Sequence, residues 1–303
     1  MKEKISSFEI YFLKAIGKIP FKILYIISDI LYFIVFHVIR YRKKIVFSNL
    51  RNSFPEKSEK EIKLIAKKYY HHLTDLFFES VKLYRMTDKE MDKHLTTTGV
   101  EKLTQYFEQG KSVILLGMHY NNWEWCSSLQ RKVKHQIYVV YNPIKNKKLG
   151  RFLLDAREKF GSKTVDMAHT ARMALSAHKN EHPIALVLTA DQSAPANSHF
   201  WTTFLHQETG FFAGPEHIAV KTNQPVFLFH CKKIKRGKYE VNLSEIVMEP
   251  AKVNNPEDIL LIYAEKLEKI IQENPEYWLW SHRRWKHKRP EGTKLVPRKL
   301  PTD

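Results

Sequence analysis

From residue 23 to residue 39 the chain is almost continuously apolar, interrupted only by Ser28, Asp29 and His37. A helix that crosses a bilayer needs about 20 apolar residues, and an aspartate inside a span is costly. The run therefore predicts a tilted or interfacial helix over residues 19–39 and not a clean span. Arg40, Arg42, Lys43 and Lys44 follow it, and basic flanks favour the cytoplasmic side of an anionic membrane. Residues 1–45 are read as a membrane-associating unit, and no cleaved signal peptide is expected because no small-residue site follows the run.

Helical periodicity returns after Pro55-Glu56-Lys57-Ser58. Ile62, Ile65, Ala66, Tyr69, Tyr70, Leu73, Leu76 and Phe77 fall on one side of a 3.6-residue repeat, so residues 46–98 are expected to be a helical region packed on the core. The pattern then changes to short apolar runs at 112–117, 136–140, 184–188, 225–230 and 239–243. These are separated by helical stretches at 99–109, 121–132, 148–160 and 168–179, and a last amphipathic helix is predicted at 256–273. Short buried strands alternating with helices predict an α/β domain over residues 99–290, with a central, mostly parallel or mixed sheet flanked by helices. Residues 291–303 are read as a loose basic tail.

Composition narrows the function classes. The chain has 303 residues, 43% of them apolar, with 10 Gly and 13 Pro, which excludes a disordered or fibrous protein. The formal net charge is +18, a field that attracts polyanions: nucleic acid, anionic lipid headgroups or an acidic carrier protein. The two cysteines, Cys126 and Cys231, rule out a disulfide scaffold or a four-cysteine zinc site. Trp278, Trp280 and Trp285 are interleaved with His282, Arg283, Arg284, Lys286, His287, Lys288 and Arg289. Nucleic-acid binders use that mixture, but no zinc-finger, KH or RRM signature accompanies it, so no nucleic-acid partner is expected. No HExxH pattern occurs and no metal is expected.

The candidate chemistry lies at Gly117-Met118-His119-Tyr120-Asn121-Asn122-Trp123-Glu124. His119 leaves an apolar strand and Glu124 comes five residues later. Neither a strand nor a continuous helix brings the two side chains together. A strand end, a turn and the first turn of a helix capped by Asn121 or Asn122 can do so, and open α/β sheets carry their sites at such strand ends. Glu124 would then hold one ring nitrogen of His119, leaving the other as a base toward an alcohol attacking a carbonyl. No serine or cysteine stands in a nucleophile-elbow frame, so direct transfer is preferred to a covalent enzyme intermediate. Oxyanion donors are sought in Arg157 and in the backbone amides after His119.

Ordered motifs along most of the chain carry a resemblance. They are SNLRNSFPEKS (48–58), GMHYNNWEW (117–125), YNPIKNKKLGRFLLDAREKFG (141–161), Ala190-Asp191-Gln192 and YWLWSHRRWKHKRP (277–290). Together they resemble the bacterial lipid A biosynthesis acyltransferase family. The resemblance implies a membrane-associated O-acyltransferase at the cytoplasmic face of the inner membrane. Its donor would be acyl carrier protein or acyl-CoA, and its acceptor an anionic glycolipid such as a lipid A precursor. It implies His119 and Glu124 as the catalytic pair and no metal or redox cofactor. Asn122, Tyr141, Asn142, Arg157, Asp191, Gln192 and Arg283 are the implied substrate-binding residues. Asp191 and Gln192 would shape the cavity, with Asp191 the less favoured alternative to Glu124 as the group that orients His119, and Arg157 and Arg283 are assigned to buried phosphate or carboxylate contacts. The lysines of the two basic clusters, Lys145, Lys147 and Lys148 beside Arg151 and Lys286 and Lys288 beside Arg283, are assigned to an exposed entrance for donor and membrane. The family commonly has Tyr-Arg-Pro where this chain has Tyr141-Asn142-Pro143, and a Gly-rich Phe-Phe-Gly stretch where this chain has residues 193–219. A glycerophospholipid or amino-acid lipid is therefore the alternative acceptor. A basic, non-catalytic membrane or nucleic-acid-binding module is the alternative outside enzymes.

Overall fold

A computed structural model describes residues 7–179 and 182–298 of the chain. The N-terminal part is helical. After α1 (Ser7–Ile16), α2 (Phe21–Phe33) runs into a π-helical turn, Ile34–Ile39. The chain reverses there through Arg40 and Arg42, which take left-handed φ values of 55° and 48°. Then come α3 (Lys43–Ser53) and the 25-residue α4 (Glu59–Leu83). Ser58 starts α4 with a reciprocal capping box: its hydroxyl accepts the Glu61 amide, and Glu61 accepts the Ser58 amide.

One helical stripe of α2, with Leu24 and Ser28, is buried, while Ile23, Ile26, Ile30 and Phe33 on the opposite stripe are exposed. Asp29, which a span would not tolerate, is paired at the edge of these stripes. Its carboxylate takes His71 Nε2 at 2.8 Å and Arg236 Nη2 at 2.6 Å. Arg236 also bridges to the buried Asp75 at 2.6 Å. Asp29, His71 and Asp75 bring ligand atoms within 4.8 Å of one another, but the Arg236 guanidinium already bridges the two carboxylates, so the cluster reads as an ion-pair clamp joining α2 to α4.

The remaining elements are α5 (Asp88–His94), β1 (Leu95–Thr98), α6 (Lys102–Glu108), β2 (Val113–Gly117), β3 (Gln136–Tyr141), α7 (Lys147–Glu158), β4 (Lys163–Asp166), α8 (Thr170–Lys179), β5 (Ile184–Thr189), β6 (Trp201–Phe204), β7 (Gln207–Gly210), α9 (Pro215–Thr222), β8 (Val226–Lys235), β9 (Lys238–Val247), α10 (Glu257–Glu273) and β10 (Leu295–Val296). A seven-stranded sheet has the order β1-β9-β8-β2-β5-β3-β4. Strands β8, β2, β5, β3 and β4 are parallel; β9 is antiparallel to β8, and β1 follows β9. This is the mixed α/β sheet that the alternation of short strands and helices predicts.

Central β2 is buried throughout because both faces are covered. Ile114 and Leu116 pack with Tyr263 and Leu267 of α10 and with Tyr69 of α4. Val113 and Leu115 face the opposite layer, with Leu103, Trp125 and Ala156. Gly117 ends the strand against Phe229; a Cβ there would lie 2.2 Å from the phenyl ring, so only glycine fits. The chain then leaves the sheet at the carboxyl end of β2, beside the carboxyl end of β5.

Three expectations differ from the structure. The sheet starts at Leu95, inside the region read as helical, because Leu-Thr-Thr-Thr has one apolar residue and no legible period. Residues 121–132 hold a 3-10 helix, Trp123–Lys132, and not an α-helix. The tail is not loose over its described part: β10 pairs with β6, and Arg298 bonds both carboxylate oxygens of Glu268 at 2.8 and 2.6 Å. Residues 299–303 lie outside the described residues.

Candidate active site

His119 follows β2 by two residues, and Asp191 follows β5 by two residues. Parallel pairing of Gly117 with Thr189 sets these two exits side by side. The His119 ring Nδ1 lies 2.7 Å from Asp191 Oδ1, and the His119 backbone N–H donates to Asp191 Oδ2 at 2.7 Å. Trp278 Nε1 donates to the same Oδ2 at 2.9 Å. Asp191 is only 2% exposed. Burial pushes its carboxyl upward, but the His119 ring and the donors from His119 and Trp278 outweigh this and hold it below the ordinary value.

With the carboxylate on Nδ1, that nitrogen carries the proton and Nε2 is left with a lone pair. Nε2 points the other way and meets the Gln192 amide Nε2 at 3.1 Å, consistent with the tautomer inferred from the Asp191 contact. The His119 ring also packs edge-on to Trp123 at 5.2 Å.

The expected partner of His119 is thus replaced. Glu124 does not orient the imidazole; its carboxylate forms a two-pronged pair with Arg157, with Nε–Oε2 and Nη2–Oε1 both 2.8 Å, and also accepts Trp123 Nε1 at 3.1 Å. The reason is local. Asn121 takes a left-handed φ of 51°, and Asn122 caps the 3-10 helix through its Oδ1 on the Trp125 amide at 3.2 Å. That turn carries Glu124 toward α7, where Arg157 waits, and leaves Nδ1 of His119 to β5. Burial raises the Glu124 carboxyl, yet Arg157's charge and hydrogen bonds bring it below its usual value; Arg157 in turn holds its proton more tightly because of Glu124. Replacing Arg157 by Gln should leave the largely buried Glu124 carboxylate without its cation, a loss of up to about 3–5 kcal/mol. Denaturant unfolding would show it as a fall in midpoint with an unchanged slope.

Other residues divide into those at the cavity and those away from it. A cavity of about 770 Å³ opens in front of His119, with Gln192 and Arg157 on its polar side and Leu153, Leu154 and Ile218 among its apolar walls. Tyr141 and Asn142 line it, and so do Lys147 and Arg151. Asn122 does not: it is fully buried, and its Nδ2 donates to Glu79 Oε2 at 2.8 Å. Its part is to build the turn. Arg283 is exposed and outside the cavity lining, whereas its neighbour Arg284 is 4% exposed, stacked over Phe211 at 4.7 Å. Burial lowers Arg284 to about 10. The buried-anion role assigned to Arg283 therefore does not fit its place.

The amides of His119 and of the two residues after it are already engaged. The His119 amide is held by Asp191, the Tyr120 amide by Met118 O at 2.9 Å and the Asn121 amide by Tyr277 O at 3.0 Å. Donors facing the cavity come instead from Arg157 and the Gln192 amide. Sequence reasoning gave Trp278 no part in this site and missed Tyr263, whose hydroxyl donates to Gly117 O at 2.7 Å and steadies the strand end.

Comparison with known proteins agrees with the motifs. The profile of the family described as bacterial lipid A biosynthesis acyltransferase matches residues 1–287. A lipid A biosynthesis lauroyltransferase of Escherichia coli (strain K12) is 22% identical over 279 residues, covering 91% of this chain and 89% of that protein. A lipid A biosynthesis acyltransferase of Haemophilus influenzae (strain ATCC 51907 / DSM 11121 / KW20 / Rd) is 21% identical over 276 residues, covering 89% and 84%.

Proposed function

The chain belongs to the bacterial lipid A biosynthesis acyltransferase family, and from that premise we propose that His119, held by Asp191, is the general base of acyl transfer from a thioester donor to a hydroxyl of a lipid A precursor. The contact that carries this is the 2.7 Å pair between Nδ1 and Asp191, which directs Nε2 away from Asp191, toward the Gln192 amide beside the cavity.

The steps balance without a covalent enzyme intermediate. Nε2 takes the acceptor's hydroxyl proton as its oxygen forms a bond to the thioester carbon. The carbonyl becomes an oxyanion, for which the Arg157 guanidinium and the Gln192 amide are the donors nearest the cavity. The C–S bond then breaks, and the leaving thiolate receives the proton from Nε2. Asp191 stays ionised throughout and stabilises the imidazolium that forms between the two steps. The Glu124–Arg157 pair fixes the guanidinium at the cavity side and does not move the proton.

The donor is acyl carrier protein. Lys145 and Lys148 are exposed, and Lys147 and Arg151 reach the cavity rim, so the entrance is basic and suits an acidic carrier. Lys145→Glu with Lys148→Glu should raise the donor KM, most strongly at low ionic strength, because exposed charges steer encounter and are screened by salt. Unchanged donor KM at two salt concentrations would mean that these lysines do not meet the carrier.

The protein works at the cytoplasmic face of the inner membrane, with the apolar stripe of α2 lying in the leaflet. Both ends of that segment are tied to the same body: Lys82 Nζ donates to Ile19 O at 3.0 Å, and Arg42 Nη1 donates to Ser281 O at 3.0 Å. A helix anchored at both ends to one globular domain does not cross a bilayer; it lies along the interface.

The function is tested with purified protein, acyl carrier protein loaded with one fatty acid, and a lipid A precursor. Mass spectrometry should show the precursor gaining one acyl group. Hydrolysed or untouched donor with no acylated lipid, across glycolipid and glycerophospholipid acceptors, would sink the assignment.

A further inference from the structure

Asp191 is held by more than His119. Its Oδ2 accepts two N–H groups, the His119 amide at 2.7 Å and the Trp278 indole at 2.9 Å. Trp278 comes from the far end of the chain, 87 residues from Asp191. It is 3% exposed and does not line the cavity. Its ring is wedged edge-on by Trp280 at 4.8 Å, Phe204 at 5.9 Å and Trp285 at 6.0 Å. Its backbone forms an antiparallel bridge with Tyr120, one residue after His119.

The strap that carries Trp278 is pinned from the helical side of the molecule. Asn49 Nδ2 donates to Trp280 O and His282 O at 2.9 and 3.0 Å, and the Ser281 amide donates to the Tyr69 hydroxyl at 3.0 Å. The indole therefore has no room to swing. A carboxylate with one oxygen on Nδ1 and the other on two fixed donors has lost its own rotation as well.

We propose that Trp278 is a positioning residue for the transfer reaction: its indole N–H fixes the Asp191 carboxylate so that Oδ1 stays on Nδ1 of His119 and Nε2 stays directed at the acceptor. This rests on His119 being the base. Trp278 touches neither substrate nor the reacting atoms and acts through Asp191 alone. An indole suits the place because it donates and cannot accept. It offers Asp191 no competing acceptor and no titrating group, and it fills the volume that keeps water from Oδ2.

The other charged or titratable groups near Asp191 are His119 after β2, Tyr263 of α10, and His282 and Arg284 of the strap. Tyr263 gives its proton to Gly117 O, burial lowers His282 to about 4, and burial lowers Arg284 to about 10. At neutral pH this leaves His282 neutral and Arg284 cationic, and neither makes a hydrogen bond to the carboxylate in place of Trp278.

Trp278→Phe removes the donor and keeps an aromatic ring. Trp201→Phe is the matched control: Trp201 is as deeply buried, gives its N–H to a backbone carbonyl, Ser198 O, at 2.9 Å, and is not one of the rings packed on Trp278. A hydrogen bond to a charged group is worth enough to change a rate by roughly 10- to 100-fold. The full-length Trp278→Phe enzyme should lose that much kcat with donor KM nearly unchanged. The acidic limb of its kcat/KM profile should move to higher pH, because the ionised carboxyl has lost a donor. Trp201→Phe should show neither change. To separate packing from hydrogen bonding, β-(3-benzothienyl)alanine placed at position 278 keeps the bicyclic shape and removes only the N–H; it should reproduce the shifted pH limb.

If Trp278→Phe and the benzothienyl variant keep the wild-type pH profile and kcat while Asp191→Asn is inactive, the positioning role is overturned and the His119–Asp191 assignment stands. If Asp191→Asn is active, the assignment fails first and takes the positioning role with it.

Discussion

Asp191→Asn protein, purified from the membrane and folded, is expected to turn over about 10⁴-fold more slowly than wild type, the size of loss known for the same replacement in a hydrolase triad. An asparagine at this place meets three donors: Nδ1–H, the His119 amide and the Trp278 indole. A carboxylate accepts all three, while an amide has one oxygen and its nitrogen can only donate. Presented with the amide nitrogen, His119 adopts the tautomer with its lone pair on Nδ1 and its proton on Nε2, which removes the base from the cavity side. His119→Ala should lose about 100- to 10,000-fold for the more direct reason that no base remains. Glu124→Gln should be much milder in kcat, since the Gln can still accept from Arg157 and never touched the imidazole. The ordering is decided by single-turnover rates at saturating donor for the three proteins. A Glu124→Gln rate as low as that of His119→Ala, with Asp191→Asn near wild type, would restore Glu124 as the orienting acid.

The same comparison shows how far a linear reading reaches. Val113–Gly117 is a run of apolar residues ending in glycine, and a buried parallel strand with His119 at its exit follows from that pattern alone. The partner of His119 does not, because it sits 72 residues away and is delivered by strand pairing, not by spacing. A carboxylate five residues downstream is the nearest candidate in sequence, and the left-handed turn at Asn121 that diverts it leaves no periodic signature. Arg283 and Arg284 show a related limit. They are adjacent, and the strap that holds them follows neither a helical nor a strand repeat, so nothing in the pattern selects which of the two faces inward. Strand β4, Lys-Thr-Val-Asp, and the hairpin of β6 and β7 went unread because each has few apolar residues and is held by its neighbours. The motif singles out Arg157, but nothing in it points to Glu124 as the carboxylate that Arg157 meets.

The Asp in the apolar segment is resolved by the same kind of tertiary contact, and it leads to the second large expectation. Ile26→Asp with Ile30→Asp should release the protein from membranes without unfolding it. Both side chains are exposed, at 61% and 58%, one turn apart on the stripe opposite Leu24 and Ser28. Little packing is lost when they change, and exposed substitutions away from special features usually alter stability by no more than about 0.5 kcal/mol. In the leaflet each isoleucine contributes about 1.5–3 kcal/mol. Losing two is therefore about 3–6 kcal/mol, or roughly a 10²- to 10⁴-fold weaker partition, before the cost of two carboxylates near anionic lipid is added. Asp29 does not incur that cost because Arg236 pairs with it and His71 hydrogen-bonds to it at the stripe's edge; the new carboxylates would have no such partners. Flotation with phosphatidylethanolamine–phosphatidylglycerol vesicles measures the partition, and near-UV circular dichroism of the same sample reports the fold. Leu24→Asp is the contrasting variant, since Leu24 is 1% exposed: it should lose the fold. A double variant that floats as wild type does would mean that this stripe is not what meets the lipid. Loss of membrane binding should also suppress transfer to a vesicle-borne acceptor while sparing transfer to the same acceptor in detergent micelles, because the His119 pocket lies on the α/β sheet and not on α2.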